Sequence, residues 1–502
     1  MSKFVTLKSE GLQALRTINP ALISYNVEMT EVTGGTFWKA YTPEQIAGTE
    51  EVPAPDFSKG LGAMHQWYDP IDTTNPRLIK LAKALGPVWV RVSGTWATKT
   101  YYDFEDTGVV PEGYQNRLTK QQWINLLGFV KAVGGKLLVS VANCEGLHSA
   151  SEPWNPSQAE QLFKLSTEHG VPISAVEFTN EPNMMEGTGF PKGYTPADFR
   201  RDQDLFHKWV RENYPDIVVV GPSTCDPEAM KDDSIEKSAS GGAGIADVLP
   251  SCTTGDLLDG CTEKLDVFSY HYYNGVSERM AAMMPAMFTP ATEATSEPYL
   301  GMAGRCARAF VPYRDKYVPG GEMWVTESGD AGAGGHTWAS TYLEVPRELN
   351  EFADFSTVTK GVIFHNTLAS SDYGYLKHGT FEPRPSYFAA LLWNQLMGET
   401  VYDCGSVSEG AHVFAHSRKD GKEGYAYLVI NNSTTETTTV ELPKDAVRYT
   451  LDGNGNLRSP ILYVNGNPIT LGENDEIPTI EGVTQAAGKV ELPPYTCTFF
   501  VL

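Results

Sequence analysis

Eight short β-rich runs, each separated from the next by a stretch of helical character, constrain this 502-residue chain more than any other feature. They occupy residues 22–28 (LISYNVE), 88–92 (VWVRV), 137–142 (LLVSVA), 175–179 (AVEFT), 217–221 (IVVVG), 266–272 (DVFSYHY), 323–327 (MWVTE) and 361–365 (GVIFH). Between them lie segments such as 75–85 (NPRLIKLAKAL) and 120–133 (KQQWINLLGFVKAV), whose apolar residues recur every three or four positions behind a polar cap. Strands that alternate with helices read as βαβ units on a parallel sheet. Eight of them predict a closed (β/α)₈ TIM barrel. An open doubly wound sheet would announce itself by a glycine-rich phosphate loop after its first strand, and none stands there.

The texture changes near residue 398. Period-two runs broken by DG and GN turns follow (HVFAHSRKDGKEGYAYLVINN, TTTVELP, VRYTLDGNGN, KVELPPYTCTFFVL), the pattern of an antiparallel β-sandwich. The expected organisation is therefore a catalytic barrel over 19–397 and a sandwich over 398–502. Residues 1–18 also read as β and are expected to join the sandwich sheet. The N-terminus MSKFVTLKSEG carries no apolar core of a signal peptide, so a cytoplasmic chain is favoured over a secreted one whose signal has been removed.

With 62 acidic against 39 basic residues and no Lys/Arg run, the chain is a poor partner for a nucleic-acid backbone. No unbroken apolar stretch approaches the ~18–20 residues of a membrane span. The seven cysteines form no CxxC pair and no Cys/His ligand pattern, so neither zinc nor dithiol chemistry is signalled, and no cofactor or metal is expected. Free thiols are the expected state, with Cys252 and Cys261 close enough in sequence to pair under oxidising conditions.

Barrel chemistry collects at the C-terminal ends of the strands, where the βα loops form a concave face. Two glutamates sit there: Glu181, after the fourth run in SAVEFTNEPNMM, and Glu327, ending the seventh in GEMWVTESGDAG. Cleavage of a glycosidic bond with retention needs one carboxyl group that delivers a proton and a second, ionised, that attacks the anomeric carbon. Strands four and seven face each other across the barrel, so their ends can flank one sugar ring. Asn180, beside Glu181, supplies a donor for a sugar hydroxyl. Either glutamate taken singly would read as an ordinary ion-pair partner. His271 and His336 could lie near the cleft but read first as structural histidines, Arg91 reads as a buried structural partner of a carboxylate, and Trp38, Trp67 and Trp96 could stack on sugar faces but read first as core aromatics.

VRVSGTWATKTYYDF after strand two, FTNEPN after strand four, YHYYNG after strand six, TESGDAGAGG after strand seven and SDYGYLKHGTFEPRPSYFAALLWNQLMG after strand eight, in that order, resemble family 79 of the glycoside hydrolases, which includes β-glucuronidases and heparanase. The resemblance runs from about residue 19 to 398. It implies Glu181 as acid/base and Glu327 as nucleophile. It also implies Asn180, Thr95 and Glu28 as sugar-hydroxyl contacts, and Tyr272 as the tyrosine held against the nucleophile. Tyr373 with the amides of Gly334 and Gly335 would bind a uronate carboxylate. Charge-assisted bonds from a hydroxyl and amides suffice for that without a second buried charge.

The expected activity is that of a retaining, exo-acting β-glucuronidase on a carbohydrate substrate. Long segments over 225–264 and 276–319 would wall one end of the cleft. The alternatives are an endo-acting, heparanase-type enzyme on a uronate-containing polysaccharide, another retaining activity such as an arabinofuranosidase or xylosidase, and a catalytically inactive carbohydrate-binding barrel.

Overall fold

The computed structural model describes residues 3–225, 250–405 and 407–502, with the backbone alone at Phe57 and Leu61. Eight parallel strands close into a barrel: β1 (Ile23–Glu28), β2 (Trp89–Ser93), β3 (Lys136–Ser140), β4 (Ala175–Glu177), β5 (Val218–Thr224), β6 (Val267–Tyr273), β7 (Glu322–Gly329) and β8 (Ile363–His365), which pairs back onto β1. Every residue of β1 and β2 is buried, because helices cover one face and the barrel interior the other. That double burial is why the runs are nearly continuous in apolar character. The helices start where their caps dictate. Asn75 accepts from the amides of Arg77 and Leu78 at the head of Pro76–Ala84, and Thr119 and Gln122 form a reciprocal capping box at the head of Lys120–Val133.

Side chains alternate across each strand, and those pointing inward change character along the barrel axis. Near the N-terminal ends, Trp89, Leu138, Ala175, Val220, Val267 and Trp324 form an apolar plug separate from the larger core outside the barrel. Two residues further on, the inward positions are Arg91, Glu177, Ser269 and Thr326. Chemistry is therefore lifted to the opposite end, above a dry floor.

Two sheets make up the sandwich. Lys3–Thr6 pairs in parallel with Thr438–Leu442, which also pairs with Gly488–Leu492. Ala14–Thr17 pairs with Met397–Tyr402 at the edge of the larger sheet. The two sheets share an apolar cluster that includes Val440, Leu492, Tyr427 and Phe500. The barrel is joined to the sandwich by a common core, and the buried Tyr342 hydroxyl lies 2.9 Å from Leu451 O and 2.7 Å from Tyr495 O. Cys252 and Cys261 are not bonded to each other; Cys261 Sγ lies 3.5 Å from Leu257 O and 3.3 Å from Gln203 Nε2. No helix among the described residues is long and apolar enough to cross a membrane.

Candidate active site

Glu181 and Glu327 meet at the C-terminal mouth of the barrel. One carboxylate oxygen of each, together with a ring nitrogen of His271, lie within 4.8 Å of one another. Glu327 stands on β7 in register with His271 of β6. Glu181 lies four residues beyond the end of β4 with φ of 48°, left-handed backbone that a non-glycine adopts only where its surroundings enforce it. Here the Glu181 amide donates to Ser223 O (3.2 Å), and its carbonyl accepts from Met184 N (3.0 Å). The two carboxyl groups differ in exposure, 19% for Glu181 and 7% for Glu327.

Glu327 is held on both oxygens. Arg91 Nη1 donates to Oε1 at 3.0 Å, and the Tyr273 hydroxyl donates to Oε2 at 2.8 Å. Arg91, fully buried, also reaches Glu177 Oε1 (2.6 Å) and Asn180 Oδ1 (2.8 Å), so one guanidinium fixes both catalytic strands. Burial, followed by the charge of Glu327, raises the Tyr273 phenol well above its ordinary range, which keeps it a proton donor. Asn366 aligns that phenol. Its Oδ1 accepts from Asn26 (3.1 Å), turning Nδ2 toward both the Tyr273 hydroxyl (2.9 Å) and the Tyr373 hydroxyl (3.1 Å).

The tautomer of His271 follows from its neighbours. Arg91 Nη2 lies 3.3 Å from His271 Nε2 and can only donate, so Nε2 is the bare nitrogen. Nδ1 then carries the hydrogen and donates to Glu181 Oε1 at 3.0 Å. Two carboxylates and an imidazole also make a donor set of the size a divalent ion uses. With Nδ1 protonated and Arg91 already compensating the carboxylates, this set is poorly suited to one.

The expected tyrosine requires correction. Tyr273, not Tyr272, holds the nucleophile. Adjacent strand residues face opposite ways, and Tyr272 points into the helix layer, where burial and neighbouring Cys306 raise its phenol. The signal was present in β6, whose inward positions Ser269, His271 and Tyr273 are polar or hydrogen-bonding while Phe268, Tyr270 and Tyr272 alternate with them. His271 and Arg91, read as structural, both touch catalytic carboxylates.

The other expected residues gather around this pair. Glu28 ends β1 buried against Gly94, where any Cβ would fall 1.6 Å from Glu28 Oε2, so only glycine fits. Burial, then the charge of Glu327, pushes the Glu28 carboxyl well above the usual range. Thr95 follows Gly94, half-buried. Tyr373 is buried and stacked on Tyr273, ring centres 6.3 Å apart. Ala333, Gly334 and Gly335 run in succession at φ of 62°, 89° and 85°, and a Cβ on Gly335 would lie 2.9 Å from Tyr373 Cβ. One part of the glycine expectation fails: the Gly335 amide donates to Ala331 O (3.1 Å) and is spent within the turn. Trp38 packs against Gly334, Trp96 Nε1 donates to Thr36 O (3.1 Å), and Trp67 is 66% exposed. In the segment over 276–319, Val276 bridges both Phe288 and Gly332, folding it back against the glycine turn. Most of the other long segment, residues 226–249, lies outside the described residues.

No protein-family model matches the chain. Among curated proteins it is similar to heparanase-like protein 1 of Arabidopsis thaliana, 23% identical over 86% of this chain and 85% of that one. It is equally similar to baicalin-β-D-glucuronidase of Scutellaria baicalensis, 23% identical over 86% and 83% of the two chains. These relatives agree with the family resemblance carried by the motifs. A solved 4-O-α-L-rhamnosyl-β-D-glucuronidase from Fusarium oxysporum shares the fold with a TM-score of 0.62 at 13% identity, covering 99% of this chain and 100% of that one.

Proposed function

We propose that this chain, which is a glycoside hydrolase, releases terminal β-D-glucuronosyl units by a retaining double displacement. The observation that carries the reading is the placement of the two glutamates, with carboxylate oxygens within 4.8 Å. So close an approach of single oxygens favours the closely set carboxyl groups of retaining enzymes, ~5–5.5 Å apart, over the ~6.5–9.5 Å that leaves room for water in inverting ones. In the first step Glu327 attacks the anomeric carbon, the glycosidic bond breaks, and protonated Glu181 gives its proton to the departing oxygen. In the second, ionised Glu181 takes a proton from water, whose oxygen displaces Glu327 from the same carbon. His271 occupies Glu181 Oε1, which leaves Oε2 to carry the travelling proton. With Asn180 Oδ1 bound to Arg91, Nδ2 is the end that can serve a sugar hydroxyl.

Specificity for a uronate is supported by Tyr373. Its oxygen accepts from Asn366, so its own O–H can donate to a carboxylate, beside the Gly334 amide. A neutral sugar would leave those donors without an acceptor. The names of the relatives, a glucuronidase and a heparanase-like protein, favour the same substrate class. Exo action is favoured by the segment that bridges Phe288, Val276 and Gly332, which builds up the wall beside the glycine turn.

The test is a panel of nitrophenyl glycosides with NMR detection of the anomer first formed, followed by product analysis on a glucuronide-terminated oligosaccharide. β-Glucuronic acid released from the non-reducing end is expected. The α anomer would overturn retention, internal cleavage would establish the endo alternative, and no release from any glycoside between about pH 4 and 7 would leave a binding protein.

A further inference from the structure

The segment after β6 places two oppositely charged neighbours, Glu278 and Arg279, beneath the turn that reads the carboxylate. Resting on the uronate reading above, we propose that they are a positioning pair that fixes the Ala333–Gly335 turn and Asp372, and so set the preference for a uronate over the corresponding neutral sugar.

Arg279 is buried, and each of its five N–H groups is used. Nη1 donates to Ala333 O and Gly335 O, both at 3.0 Å; Nη2 donates to Asp372 Oδ2 at 2.6 Å and to Lys39 O; Nε donates to Lys39 O at 3.0 Å. Its guanidinium carbon lies 3.7 Å from the centre of the Tyr41 ring. Glu278 takes the far side of the same turn, accepting from Thr337 N (3.0 Å), Thr337 Oγ1 (2.7 Å) and His336 Nδ1 (3.2 Å), while the Tyr41 hydroxyl sits between Gly335 O (3.1 Å) and Glu278 Oε2 (3.3 Å). One side chain thus grips the turn's carbonyls and the residue before Tyr373, while its neighbour grips the turn's exit.

The turn needs such a grip. Three successive residues at positive φ, one of them Ala333, persist only where the surroundings over-determine them. The turn's carbonyls face Arg279, its inner amide is spent on Ala331, and Asp372, which Arg279 also holds, precedes Tyr373, so the turn and the Tyr373 backbone packed against Gly335 are set by groups that never touch the sugar. A displaced turn misaligns the carboxylate's donors but leaves Glu28 and Glu327 on β1 and β7, and Asn180 and Glu181 on the loop after β4, where Arg91 and Ser223 hold them. The loss should therefore fall on the uronate and not on the sugar ring as such. Lysine at 279 keeps the charge beside Asp372, yet three hydrogens on one nitrogen cannot span acceptors from three chain segments.

The experiment compares kcat/KM on nitrophenyl β-glucuronide and nitrophenyl β-glucoside for wild type, Arg279→Lys and Glu278→Gln. The glucuronide-to-glucoside ratio is expected to fall by roughly tenfold or more in Arg279→Lys, chiefly through KM for the glucuronide, and severalfold in Glu278→Gln. A ratio within about twofold of wild type, or an equal loss on both substrates, overturns the proposal. If Arg279→Lys does not fold, the isosteric Glu278→Gln decides it by the same ratio. A wild type that shows no preference for the glucuronide sinks the uronate reading itself, a result distinct from a preference the variants leave untouched.

Discussion

At the residue scale the two glutamates have separable consequences. Glu327→Ala removes the nucleophile and should abolish turnover on every leaving group. Glu181→Ala should retain turnover of substrates whose leaving group needs no proton, and azide should rescue its second step as a glycosyl azide. A loss in Glu181→Ala that is as complete as in Glu327→Ala and independent of the leaving group would overturn the acid/base role of Glu181. Tyr273→Phe takes away the hydroxyl on Glu327 Oε2 and leaves Arg91 alone to orient the carboxylate. A fall in kcat/KM of about 10²–10³ is expected, by analogy with the loss of one preorganised donor, whereas Tyr272→Phe should stay within about twofold of wild type. Matching losses in steady-state assays would restore Tyr272 to the site. Tyr373→Phe should cost glucuronide over glucoside selectivity ~1–3 kcal/mol, the range for an unpaired partner, read as the change in the ratio of kcat/KM values. The glutamates were legible because position at a strand end and chemistry coincide in them. The tyrosine was misread by one residue because in YHYY both candidates are the same amino acid, and only the alternation of β6 separates them.

At the scale of elements, the eight strands were legible because burial on both faces writes itself as continuous apolar sequence. The buried polar network was not, since a sequence names charged residues but not their partners. Helix Val345–Val358 is the clearest case, with an interior that carries charge despite its burial. Arg347 donates to Glu344 Oε1 (2.7 Å) and Glu351 Oε2 (2.7 Å), and Glu351 Oε1 in turn accepts from Ser328, the residue after Glu327. The helix thus braces the strand that bears the nucleophile. Arg347→Met would leave buried Glu351 without its cation, and Glu344, whose carboxyl burial raises well above the usual range, without its donor, and should destabilise the fold by ~3–5 kcal/mol. Urea unfolding followed by fluorescence measures this as a lower midpoint at unchanged slope; a midpoint near wild type would mean that the ion pairs contribute little net stability.

On the scale of the whole molecule, barrel and sandwich share one core, and groups buried throughout the fold should impose a common pH profile on its stability. Period-two patterning made the sandwich readable, but nothing in the sequence reveals how burial displaces proton affinities. His207 and His365 are pushed by burial from an ordinary 6.5 down to about 3. The unfolded chain therefore binds protons that the folded chain refuses, and stability falls as pH drops from about 6.5 toward 3. Glu31 and Glu348 are pushed the other way by burial, from 4.5 up to about 8. Their contribution is fully present below about 4.5 and is lost as pH rises from there to about 8, and the raised carboxyls of Glu28 and Asp330 act in the same sense. Between about 4.5 and 6.5 the two sets oppose one another, and outside that window one acts without the other. Each group can contribute up to ~1.4 kcal/mol per pH unit. Urea midpoints measured from pH 3 to 9 should accordingly peak within that window and decline on both sides, and Glu348→Gln should flatten the limb between about 6.5 and 8. Midpoints that instead stay level through that limb would mean that Glu31 and Glu348 are already ionised in the folded protein and contribute no slope there.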